Sequence, residues 1–166
     1  MNDQPQHQHR KDQLLRGILI DPYAKAVTEV YVEPYPAWKN IIECDDIEAV
    51  TIAVKPDGHR VTMWVDGEFL LNEKAKGPFF QISAHPQPMG GKALILDTDE
   101  AGETVSTDIP VNVVWAHVTW PDVEFTGITT HEREGMTPLG PGSIVEQKTH
   151  FKPREPGSNS DPDEVD

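Results

Sequence analysis

The amino-acid sequence predicts an α+β fold: one small domain with a mostly antiparallel, twisted sheet, one short helix and disordered ends. Three observations carry this reading. Short runs rich in β-branched residues alternate with period two, and proline, glycine and aspartate separate them. One stretch near residue 40 places its apolar residues at helical spacing instead. Both ends lose apolar periodicity. The expected division is a leader over 1–13, a domain over 14–124, and a Pro/Gly-rich acidic tail over 125–166.

Residues 1–13, "MNDQPQHQHRKDQ", are polar and proline-punctuated, and His7 and His9 lack the fixed third ligand a metal site needs. Order is expected from "RGILI", which Asp21-Pro22 closes. "KAVTEVYVE" then alternates, with Ala26, Thr28, Val30 and Val32 on one face and Val27, Glu29, Tyr31 and Glu33 on the other. Joined through "DPYA", the two runs predict an opening hairpin. In "PYPAWKNIIECDD", an early proline and the spacing of Trp38, Ile41 and Ile42 predict a short helix. "IEAVTIAVKPDGHRVTMWVDG" predicts a second hairpin. Val50, Ile52 and Val54 alternate, "KPDGH" turns the chain, and Val61, Met63 and Val65 alternate back.

"EFLLNEKAKG" reads as a loop or helical turn, and "PFFQIS" as a short strand. "KALIL" is a short apolar run between turn residues, the pattern of a buried central strand. "VNVVWAHVTW" is expected as the last strand. Val113, Trp115, His117 and Thr119 would share one side, and Val114, Ala116, Val118 and Trp120 the other. After Pro121, "GMTPLGPGS" and "KPREPGSNSDPDEVD" show neither period, which predicts a tail. Within it, "SIVEQ" is the stretch suited to adding a strand or meeting a partner.

At 166 residues, 37% hydrophobic and with a mean hydropathy of −0.50, the chain suits one domain plus polar ends. Its net charge of −14 is concentrated in residues 14–124, which carry 8 basic against 18 acidic side chains. A surface this acidic repels phosphate backbones, so direct nucleic-acid binding is not expected. Carboxylates set in rows would instead mimic a nucleic acid, but they fall into three groups: Glu29 and Glu33; Asp45, Asp46 and Glu48; and Asp97, Asp99, Glu100 and Glu103. Cys44 is the single cysteine, so no intrachain disulfide or thiolate cluster forms. No secretory signal or membrane-length apolar run is present, and the expected location is the cytoplasm.

The stretch "HPQPMGGK" is the candidate ligand site. His85, Lys92 and the amides of Gly90 and Gly91 are the groups that would converge on a small anion. The competing reading is structural: Pro86 and Pro88 stiffen an extended approach, and the glycine pair turns the chain into "KALIL". A phosphate loop runs strand, glycines, Lys-Ser/Thr and helix, and here the glycines precede a strand. "DTDEAGETVSTD" places Asp97, Asp99, Gly102 and Asp108 at four positions of a cation loop, but Ala101 interrupts the ligand set and a polar hairpin turn is expected. "HEREG" lacks the second histidine of a zincin motif. Cys44 precedes Asp45 and Asp46, which raise a thiol pKa rather than activate it. His117 beside Trp115 reads as a packed or half-exposed histidine rather than a catalytic base. No catalytic set and no cofactor are nominated.

"LIDPYAKAVTEV", "WKNIIECDDIEAVTI", "WVDGEFLL", "FF", "HPQPMGGKALIL" and "DTDEAGE" follow one another over about residues 17–120. In this succession the chain resembles a group of small proteins common in tailed bacteriophages, prophages and plasmids of bacteria, known as a domain family of unknown function. It departs where an Asp-Glu-Gly triplet is the pattern, having Asp66-Gly67-Glu68. The resemblance implies a mobile-element setting and carries no activity. The function expected is therefore non-catalytic: a phage or plasmid accessory protein that binds a host or element-encoded protein. Tyr31, Trp64 and Trp115 are the candidate partner surface. A small anionic-ligand binder or enzyme using 85–92, and the acidic mimic, are the alternatives.

Overall fold

The computed structural model describes residues 14–69 and 77–154. The expected leader 1–13, residues 70–76 of "EFLLNEKAKG" and the last residues 155–166 lie outside them. As expected, β1 (Leu15–Asp21) and β2 (Ala26–Val32) form the opening hairpin, and α1 (Trp38–Ile42) follows. The helix stops where Glu43 enters the left-handed region at φ 62° and the Cys44 amide donates to the Lys39 carbonyl. β3 (Ile47–Val54) and β4 (Arg60–Asp66) form the second hairpin. The ladder shifts register between Thr51 and Ala53, so Val54 leaves the face of Val50 and Ile52 and is exposed.

β7 (Ala93–Thr98) is the central strand that "KALIL" predicts. It lies between β1 and β4 in an antiparallel sheet of order β2-β1-β7-β4-β3, with β8 (Thr104–Val105) paired to its end. Alternate residues of β7 enter two separate cores. Ala93 and Ile95 join Ile18, Ile20, Met63, Val65 and Phe80, while Leu94 and Leu96 join Val32, Trp38 and Ile42. The sheet is thus covered on both faces, by α1 on one and on the other by β5 (Phe79–Ile82) with α2 (Val111–His117). Each fully buried Leu, Ile or Phe contributes roughly 1.5–3 kcal/mol, which is why one five-residue helix is held firmly on its face. β5 also pairs with β6 (Met89–Gly90) and β9 (Val118–Thr119) in a small second sheet.

Two expectations are corrected. Residues 111–117 form a helix, not the start of a strand, so the described residues hold a second helix. Pro110 stands at the N-cap, and Val111, Val114 and Val118 recur at helical spacing against the core. The regular structure also does not end at 124. β10 (Val123–Thr137) and β11 (Gly140–Pro153) form a long antiparallel ribbon through most of the expected tail, with a two-residue turn at Pro138-Leu139. A ribbon wet on both faces needs no polar–apolar alternation, so period two never appears in its sequence.

Candidate functional site

The 85–92 loop contains β6, and its candidate ligand groups do not converge. The His85 ring turns back into its own loop, with Nδ1 3.1 Å from the Gln87 carbonyl and 3.3 Å from the Gln87 amide nitrogen. The Gly91 amide donates to the Pro78 carbonyl, and Gly91 adopts φ 75°. Gly90 lies against the Phe69 ring: a Cβ there would fall 1.8 Å from Phe69 Cδ1. Lys92 leaves the loop and pairs with Glu43, Nζ to carboxylate 3.1 Å, at the end of α1. The groove beside the loop, about 390 Å³, is lined by His85 and Gly90 together with the carboxylate residues Glu48 and Asp66. Carboxylates facing that space oppose an anion. The glycine pair serves packing and turning.

The acidic segments separate in the same way. Lys55 Nζ sits between Asp97 and Asp108, so an ammonium group stands where the cation-loop reading placed a metal. Asp99 Oδ1 accepts from the amides of Ala101 and Glu103, closing a polar turn. Asp97 is buried, which removes it from any surface row of carboxylates. Elsewhere, Glu43, Asp45, Asp66 and Glu68 line one small cleft with Cys44. Burial, then the charges of Asp66, Asp45 and Asp46, push the Cys44 thiol up to about 11. The direction follows from the sequence; the leading cause is burial.

The three candidate surface aromatics part company. Tyr31 is exposed on the β2 edge, and its hydroxyl donates to Glu29, which pairs with Arg16 at 3.3 Å. Arg16 in turn donates to the carbonyls of Thr107 and Ile109, fastening the segment that enters α2. Trp115 is half exposed on α2, edge-on to Trp120 at 6.1 Å. Trp64 is not a surface residue in the same sense. It packs on Trp38 at 5.0 Å between ring centroids, and its Nε1 is buried. The helix α1 covers the sheet face on which Trp64 lies.

Sequence spacing did not reveal two further features. The β5–β9 pairing brings Ser83 to His117, with Oγ 2.8 Å from Nδ1. Both side chains are exposed, and among the described residues no carboxylate contacts the ring. Beside this pair lies an apolar groove of about 170 Å³ lined by Ile52, Ala53, Ile82, Ala84, Val113 and Val114.

The second is the β10–β11 arm. Its base is tied to the body: Phe151 meets Phe79 edge-on at 5.4 Å and Phe125 at 5.8 Å, and Thr149 donates to Gln87. Past Ile128 and Gln147, the arm's side-chain contacts among the described residues are internal, as in the Arg133–Glu146 ion pair at 3.0 Å. The nine residues of β10 past Ile128 extend about 30 Å at 3.3 Å per residue. At the tip Leu139 is 101% exposed and Met136 74%. The arm is also electrically distinct: residues 123–154 hold four basic and four acidic side chains, while residues 14–122 hold 8 and 17. "TPLG" between two β-rich runs was the available sequence signal.

No helix among the described residues is long and apolar enough to cross a membrane. Comparison of the chain with known protein families, characterised proteins and solved structures finds no match.

Proposed function

We propose that this chain is a non-catalytic accessory protein of a phage or plasmid that acts by binding another protein, with the β10–β11 arm as its binding element. The observation that carries this reading is the fully exposed apolar tip at the end of a ribbon with internal contacts beyond its base. A two-stranded ribbon is marginal in water by itself, and Met136 and Leu139 gain only when covered. The neutral arm also projects from an acidic body, so a partner meets an apolar tip without strong charge steering. The mobile-element setting rests on the sequence resemblance over residues 17–120. The test is affinity capture from bacterial lysate with the full chain and with the Met136→Asp/Leu139→Asp variant. Capture that persists at 0.5 M salt (roughly a 4 Å screening length) and is lost in the variant is expected. Equal capture by both proteins rejects the arm as the binding element.

A further inference from the structure

The arm and the apolar groove are complementary features of one chain. The groove between β3, β5 and α2 is lined almost wholly by carbon, and its volume of about 170 Å³ accommodates one branched aliphatic side chain. Val113 on its rim is 44% exposed. The tip offers Leu139, completely exposed. The arm leaves the body beside Glu48 and Val50, while Ile52 and Ala53 of the same strand line the groove. Base and groove are therefore only about 13 Å apart along β3, four residues of strand. The tip stands about 30 Å from the base, so a straight arm overshoots its own groove. A domain of this size has a radius of gyration near 13 Å, and the tip reaches across a neighbour of equal size.

From this geometry we infer that the occupant of the groove is the Leu139 tip of a second copy, exchanged reciprocally in a two-fold dimer. The inference rests on the arm being the binding element and names one partner for it. Charge selects the arm for the contact. Two bodies, each with nine more acidic than basic side chains over residues 14–122, repel one another, whereas the arm has no net charge and can lie on the acidic neighbour. Reciprocal exchange closes the assembly at two, because each copy supplies one tip and one groove.

Light scattering coupled to size exclusion, on the full chain at tens of micromolar, tests the dimer. A mass twice 18.5 kDa is expected. Leu139→Asp and Val113→Asp, both at exposed positions, should each weaken the dimer by at least about a hundredfold with unchanged circular dichroism, because a symmetric dimer loses two contacts. A Leu139→Cys/Ala84→Cys protein in a Cys44→Ala background should form an intermolecular disulfide between positions 139 and 84 on oxidation. A monomer at that concentration, or a dimer that both substitutions leave intact, overturns the inference. A monomer whose lysate capture still depends on the arm removes the second copy and leaves the binding reading standing. A dimer lost in Leu139→Asp, with lysate capture unchanged in the arm variant, leaves the second copy as the arm's partner and removes binding of another protein through it.

Discussion

Gly90 shows how one residue type can be conspicuous in a sequence for a reason other than chemistry. Phe69 fills the space its Cβ would take, so Gly90→Ala should destabilise the fold by about 1–3 kcal/mol in urea unfolding, the usual overpacking cost. Lys55 is a second fixed point, joining the β3–β4 turn to buried Asp97. Lys55→Met strands that carboxylate and should cost about 3 kcal/mol, and adding Asp97→Asn should recover most of it. Burial opposes the charge on Lys55, but hydrogen bonds to Asp108 and Asp97 outweigh it and leave its pKa raised. The bond from Lys55 holds Asp108 below its ordinary value. The raised lysine contributes stability below 10.5 that is lost as pH rises through its folded value. The lowered aspartate contributes stability above 3.8 that is lost as pH falls through its folded value. The junction therefore holds across neutral pH and weakens at both extremes. Cys44 responds to burial first and to the neighbouring carboxylates second. With its pKa pushed up to about 11, alkylation by iodoacetamide at pH 8 should run at least about tenfold slower than for a free cysteine, and Asp66→Asn should speed it.

At the scale of elements, the base of the arm is part of the fold and its outer length is not. Phe151→Ala should destabilise by about 3 kcal/mol through lost packing on Phe79, while replacing residues 130–147 by a two-residue turn should lower the melting temperature only at concentrations where the dimer forms. The same division explains what the sequence disclosed. Strands with one buried side, such as Val61, Met63 and Val65, announce themselves by alternation, and β7 by its continuous apolar run. "VNVVWAHVTW" fits both periods, since Val111, Val114 and Val118 satisfy the helical one while Val114, Ala116 and Val118 alternate. The cap at Pro110 decides between them. The ribbon was illegible because neither face is buried. The 85–92 loop was legible as a turn, but the destination of Lys92 depends on α1, far away in the chain.

For the whole molecule, the dominant fact is the separation of charge between an acidic body and a neutral arm. Self-repulsion within the body should be screened by salt, so the melting temperature should rise as ionic strength goes from about 10 mM to 300 mM, where the Debye length falls from roughly 30 Å to under 8 Å. An unchanged melting temperature would mean that the carboxylates are already compensated locally, as Asp97 and Asp108 are by Lys55. Charge separation also gives the molecule a preferred orientation at an interface. On a cationic resin or film a monomeric copy should settle body-first, with the ribbon standing away from the support.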